Sequence, residues 1–149
     1  PFARDAYSEH HAPVVEVGFM LADIDGHQVG YSTDGLVGDN GLIEIKSRQQ
    51  KKHIQTILAD AVPAENMAQL QCGLLVSGRA WIDYVSFCGG MPLWVKRVTP
   101  DPDWQNAIRA AVQKFEADAT KAVDAYRKAV KGLPVMQRPP SLLNLDIEV

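Results

Sequence analysis

Gly30-Tyr31-Ser32-Thr33-Asp34-Gly35, followed by Gly41-Leu42-Ile43-Glu44-Ile45-Lys46, is the stretch that decides how this chain folds. The second segment is apolar and β-prone, so it reads as a strand in which alternate side chains share a face. Glu44 and Lys46 then point one way, and Ile43 and Ile45 the other. Gln28 to Thr33 reads as the preceding strand, with Asp34 at its end. Between the two acids, Asp39-Asn40-Gly41 reads as a hairpin turn. Such a hairpin sets Asp34 and Glu44 side by side, although they stand ten residues apart.

Two carboxylates and a lysine so placed suit Mg²⁺-dependent hydrolysis of a phosphodiester. Mg²⁺ takes oxygen ligands in near-ideal octahedral geometry, usually with only one or two carboxylates among them. Asp34 and Glu44 could supply those, and the main-chain oxygen of Ile45 falls at the right step to add another. Lys46 could orient or help deprotonate the attacking water, or offset charge building on the phosphate. Two carboxylates at one site repel each other until a cation arrives. By itself, an acid-x-lysine triplet is usually a solvated strand face, and a glycine-flanked aspartate is usually a turn residue. The order, the spacing and the intervening turn make the combination more specific than either half.

With these motifs, the chain resembles the YqaJ-like viral recombinase family. These are phage alkaline exonucleases related to lambda exonuclease, within the PD-(D/E)xK nuclease superfamily. The resemblance rests on Ser32-Thr33-Asp34-Gly35-Leu36-Val37 with Gly41 to Lys46, on Met67-Ala68-Gln69-Leu70-Gln71 with Leu74 to Gly78, and on Trp81 to Phe87. It covers about residues 1–98. It implies an α/β (α+β) restriction-endonuclease-like core, a central mixed β-sheet flanked by helices. It further implies that Asp34 and Glu44 bind the metal, that Ile45 adds its carbonyl, and that Lys46 and Gln69 complete the catalytic set. The implied activity is 5′-to-3′ degradation of double-stranded DNA ends to mononucleotides. That requires Mg²⁺, with Mn²⁺ as a possible substitute, and leaves a 3′ single strand for an annealing protein. A trimeric ring and a phage or prophage gene expressed in bacterial cytoplasm belong to the same implication. Two departures stand out: Thr33 replaces the family's usual proline, and Pro1-Phe2-Ala3-Arg4 resembles the middle of its first helix. The acid of that helix would lie upstream, so the N-terminal part of the family domain is expected to be missing. Residues 1–133 are then one nuclease domain and 134–149 a tail.

Composition agrees with one folded domain: 149 residues with 46% hydrophobic content can bury a full core. No run reaches the length of a membrane span, and no signal peptide is visible in the sequence. Cys72 and Cys88 lack metal-ligand spacing and suit a reducing cytoplasm; they also fall short of the cysteines an iron–sulfur exonuclease needs. The net charge of −3 is unpromising for a DNA-binding protein, but phosphate contact is local. Lys46, Arg48, Lys51, Lys52 and His53 cluster directly after the key strand, and Arg48, Lys51, Lys52 and His53 are expected to hold the DNA backbone. The competing reading is a solvated helix face.

Elsewhere, residues 1–11 read as the end of a helix, Val14 to Ala22 as a strand, and Asp23 to Gly26 as a turn. Helices follow over Gln49 to Leu58 and from Pro63 to about Val76, with Gly78 just past the end. Residues two apart do not share a helix face, so only one of Gln69 and Gln71 can point at the site, and the family match selects Gln69. Trp81 to Phe87 and Leu93 to Val98 are strands, and Pro100 to Asp103 opens a long helix capped by Asp101 or Asp103. Its stripe of Trp104, Ile108, Ala111, Phe115, Ala119, Ala122 and Tyr126 reads as core or subunit contact. The alternatives to the exonuclease are another PD-(D/E)xK nuclease, RecB-like or an endonuclease, and a non-catalytic DNA-binding or annealase-docking module.

Overall fold

A computed structural model describes residues 2–137. The first helix, α1 (Phe2–His10), leads into a short strand, β1 (Val14–Val15). A hairpin of β2 (Met20–Ile24) and β3 (His27–Tyr31) follows, then β4 (Gly35–Val37) and β5 (Gly41–Ser47). Two helices, α2 (Gln50–Ala59) and α3 (Ala64–Ser77), carry the chain across to β6 (Trp81–Phe87). β7 (Trp94–Val98) and the long helix α4 (Pro102–Ala129) complete the order.

The main sheet has the order β1-β4-β5-β6-β7 and is mixed. β5 and β6 are parallel, with Glu44 opposite Tyr84, because the α2–α3 crossover returns the chain to its starting edge. The other pairs are antiparallel. β2 and β3 form a separate two-stranded sheet that packs on α3. Its turn is Asp25-Gly26, both at positive φ, the two-residue geometry that matches strand twist. Asp23 caps this turn through the Gly26 amide.

The alternation along β5 divides the core in two. Leu42 packs with Leu70 and Leu74 of α3, Ile82 and Tyr84 of β6, and Tyr31 of β3. Ile43, on the opposite face, packs with Tyr7 of α1, Val37 and Val85. Each fully buried leucine or isoleucine contributes roughly 1.5–3 kcal/mol. On the α1 face, buried Asp83 accepts from Tyr7 Oη at 2.7 Å and from Arg97 Nε and Nη2 at 2.8 and 2.9 Å. The Arg97 guanidinium also lies 3.5 Å over the Trp81 ring. Burial, reinforced by Asp83, pushes the Tyr7 phenol above its ordinary range, so it remains a donor and ties α1 to the sheet.

Three readings of the sequence are corrected here. Val14 to Ala22 is not one strand, because β1 joins the main sheet while β2 leaves it. Gly35 to Val37, read as part of the connection, is a strand, and the hairpin that flanks the key motif is β4–β5. Arg79 fastens its connection by donating from Nη1 to the carbonyls of Gly38 and Gly41. The stripe on α4 is not core, since no α4 residue is buried and Phe115 and Tyr126 are 68% and 67% exposed. Asp101 does cap this helix, accepting from the amides of Asp103 and Trp104.

Contacts divide the chain into two compact units, Pro1–Phe115 and Glu116–Val149, so the boundary falls inside α4. The first unit holds both sheets, α1 to α3 and both core clusters. The second holds the rest of α4, with i,i+3 pairs Lys121–Asp118 and Arg127–Asp124 on its surface. The expected tail from 134 onward lies mostly outside the described residues.

Gly73 of α3 faces the Tyr31 ring so closely that an added Cβ would stand 2.5 Å from Tyr31 Cζ. Gly73→Ala is therefore expected to lower stability by about 1–3 kcal/mol in urea unfolding, despite alanine's better helix propensity.

Candidate active site

Glu44 is the centre of the site. It lies mid-strand in β5, 3% exposed, on the face covered by α3. A carboxylate buried this far needs partners, and donors from three elements supply them. Lys46 Nζ, on the same face of β5, donates to Glu44 Oε1 at 2.7 Å. Gln69 of α3 donates to that same oxygen from Nε2 at 2.7 Å and accepts from Lys46 Nζ through its own Oε1 at 2.8 Å. A neutral amide carries both an acceptor oxygen and N–H donors, so it can accept from the ammonium and donate to the carboxylate at once. The third donor is Tyr31 at the end of β3, whose hydroxyl reaches Glu44 Oε2 at 2.7 Å. Burial first, then the charge and hydrogen bond of Glu44, push the Tyr31 phenol well above its usual range, so it stays protonated.

Asp34 lies between β3 and β4. Its amide donates to the Ile43 carbonyl at 3.2 Å, and its Oδ2 accepts from the Ile45 amide at 2.6 Å. The aspartate thus continues the β4–β5 pairing by one step and is fastened to the strand that carries Glu44. Thr33, where the family pattern has proline, is buried and binds the Gly35 and Ile43 carbonyls through its hydroxyl. Its side chain fixes the turn before Asp34 by hydrogen bonds rather than by a ring. Asp34 and Ile45 line a cleft of about 280 Å³ with Arg4 of α1, Ser47 and Phe87. Among the described residues no group of three or more His, Cys, Asp or Glu side chains is gathered for a metal ion. The two carboxylates of this region are each held by the chain, Asp34 by the Ile45 amide and Glu44 by Tyr31, Lys46 and Gln69. Oxygen donors of this kind could hold a hard cation that keeps water in its remaining positions.

Of the expected site residues, the structure brings Glu44, Lys46 and Gln69 into direct contact and sets Asp34 on the adjacent backbone. Gln71 points elsewhere, as helix geometry requires, but it is fully buried rather than on the surface. It donates to the Thr99 carbonyl and accepts from the Asp101 amide, clasping the start of α4.

The basic cluster separates into parts. Lys51 and Lys52 are exposed on α2. Arg48 is half-buried, and its Nη2 donates to Asn66 Oδ1 at 2.6 Å and to the Tyr84 hydroxyl at 2.8 Å. Together with Lys52 and Glu65 it lines a second cleft of about 280 Å³. His53 is corrected: it is wholly buried, with Nδ1 2.8 Å from Ser86 Oγ and Nε2 2.9 Å from the Pro92 carbonyl. It falls on the inner face of α2, between residues that turn outward, and serves the core instead of DNA. Sequence reading passed over Tyr31 because its partner lies in another sheet; the only local signal was a tyrosine beside the motif.

The model of the YqaJ-like viral recombinase domain matches residues 1–80. The chain is also similar to an alkaline exonuclease, LHK-Exo, from Laribacter hongkongensis. Identity is 31% and the TM-score 0.82, over 90% of this chain and 71% of that one. The chain belongs to the YqaJ-like viral recombinase family. The structure of LHK-Exo in complex with dAMP matches at 35% identity and a TM-score of 0.79, over 88% and 70% of the two chains. SSO0001, at 15% identity and a TM-score of 0.50 over 76% and 54%, shares the fold alone. No curated protein matches the chain. The mixed sheet flanked by helices is thus the PD-(D/E)xK fold, in the form found in alkaline exonucleases of the lambda exonuclease family.

His53→Ala removes two buried hydrogen bonds and leaves a cavity, so it is expected to cost about 2–3 kcal/mol of stability. DNA affinity of the folded fraction, measured by fluorescence anisotropy, is expected to stay at the wild-type level.

Proposed function

We propose that this YqaJ-family chain is a metal-dependent exonuclease that degrades double-stranded DNA from its 5′ ends, releasing mononucleotides. The observation that carries the reading is the closed contact of Glu44, Lys46 and Gln69 beside Asp34. A Mg²⁺ ion, or Mn²⁺ in its place, bound by Asp34, Glu44 and the Ile45 carbonyl would polarise the scissile phosphate and lower the pKa of a water. Asp34 is held by the Ile45 amide, so its position is set by the strand rather than by a free rotamer. Lys46 presents an ammonium where charge develops on the phosphate and can orient the attacking water. Gln69 keeps that ammonium aimed by accepting from it. Lys51 and Lys52, exposed on α2, would hold backbone phosphates, with half-buried Arg48 adding positive charge beside them. LHK-Exo was solved with dAMP, a mononucleotide, and by that likeness the product here is of the same class.

The setting proposed with this activity, supported by the family likeness, is phage-type recombination in a bacterial cytoplasm, with the 3′ single strand passed to an annealing protein. A trimeric ring would give processivity, since a closed channel prevents dissociation between cuts. In the second unit, the exposed apolar side chains Val123 and Tyr126 of α4 offer a surface for contact between copies. Among the described residues no helix is long and apolar enough to cross a membrane.

The test is cleavage of linear duplex DNA labelled at either the 5′ or the 3′ end, with Mg²⁺ and with Mn²⁺. Early release of 5′ label as mononucleotide, reduced about 10²–10³-fold by Lys46→Ala, is the expected result. A chain that binds duplex ends but cuts neither strand with either metal would be a binding module instead. Cleavage of covalently closed circles would favour an endonuclease. Lys52→Ala is expected to weaken binding uniformly across sequences and to reduce the slope of log K against log salt by about 1.

A further inference from the structure

We infer that Tyr31 is a positioning residue for the metal, and that it sharpens selection of Mg²⁺ over Ca²⁺ by fixing the carboxylate of Glu44. This rests on the reading above that Glu44 is a metal ligand. A carboxylate offers about four acceptor sites, two on each oxygen. Lys46 and Gln69 occupy Glu44 Oε1, and Tyr31 occupies one site on Oε2. One site remains, on the oxygen whose direction the Tyr31 hydroxyl sets. Glu44 can then reach a cation through a single oxygen in a single orientation, without rearranging its partners.

Tyr31 is built to hold that orientation. It is 5% exposed, and its ring lies so close to Gly73 that a Cβ added there would stand 2.5 Å from Tyr31 Cζ. Its backbone is fixed by pairing with Met20 at the end of the β2–β3 hairpin. The hydroxyl therefore comes from a ring on a separate sheet and reaches Oε2, whereas groups of β5 and α3 hold Oε1. This bears on ion choice. Mg²⁺ demands near-ideal octahedral geometry, whereas Ca²⁺ tolerates irregular sites and bidentate carboxylates. Freeing one end of Glu44 should cost the stricter ion more.

Tyr31→Phe removes the hydroxyl and keeps the ring against Gly73. Isothermal titration of the intact chain with Mg²⁺, Mn²⁺ and Ca²⁺ reads the effect without any turnover. Loss of such an outer hydrogen bond typically costs 10–100-fold in metal affinity, so Mg²⁺ and Mn²⁺ are expected to bind about tenfold more weakly. Ca²⁺ should lose less, which shifts the Ca²⁺-to-Mg²⁺ preference. Replacing Tyr31 by 4-aminophenylalanine restores a donor at the ring tip and should restore the wild-type preference, which separates positioning from any general loosening of the fold. If Tyr31→Phe leaves both affinities and their ratio unchanged while wild type binds Mg²⁺, this inference fails and the nuclease reading stands. If the wild-type chain binds none of the three ions, the metal reading falls and this inference falls with it.

Discussion

Burial of the Glu44 carboxylate is the constraint on which the rest of this structure depends. An isolated charge taken out of water costs several kcal/mol even after relaxation, and pairing offsets this only when the geometry is good and the remaining lone pairs are filled. Here the donors come from β5, α3 and β3, elements that do not adjoin one another in sequence. The α2–α3 crossover has to return α3 over the face that carries Glu44, and the β2–β3 hairpin has to leave the main sheet to bring Tyr31 to the other carboxylate oxygen. Leu42, Leu70, Leu74 and Ile82 pack together in one cluster with Tyr31 and make both placements favourable through apolar burial. The apolar core and the polar centre are one construction.

Much of this was legible in the sequence because the governing periods are short. Period two along Gly41 to Lys46 fixed which side chains accompany Glu44, and helical geometry separated Gln69 from Gln71. What escaped depends on partners far along the chain. His53 sits in a basic run and looks like a DNA contact, yet its partners are Ser86 and the Pro92 carbonyl, thirty-three and thirty-nine residues away. β4 is short, begins with glycine and looks like a connection until its pairing with β5 is known. The α4 stripe has the period of a packed helix, but period alone does not say whether the covering surface belongs to the same chain.

The distribution of charge reconciles an acidic chain with a polyanionic substrate. Net charge is −3, but acids at the centre are already committed: Glu44 to Lys46, Gln69 and Tyr31, and Asp83 to Arg97 and Tyr7. Arg109 pairs with Asp25 and Lys96 with Asp60 at the surface, where such pairs contribute little. Lys51 and Lys52 stand exposed at the start of α2, immediately after the strand that carries Glu44 and Lys46. Local field near the cleft, not the total, governs an encounter with phosphate at a distance of one Debye length or less.

Lys46 also explains how an acidic centre can stand in the folded chain. Two neighbouring carboxylates on a folded scaffold would repel each other without a cation, but the ammonium of Lys46 already lies 2.7 Å from Glu44, while Asp34 is engaged by a backbone amide. Both carboxylates are thus engaged by groups the chain carries itself. This has a chemical consequence. A lysine held only by its carboxylate would follow that carboxylate wherever a ligand drew it. Gln69 supplies a second anchor from α3, so Nζ keeps its place when the demands on Glu44 change. Pre-placed charge of this kind needs no reorganisation at the moment of reaction, which is where an electrostatic centre gains most of its advantage over water.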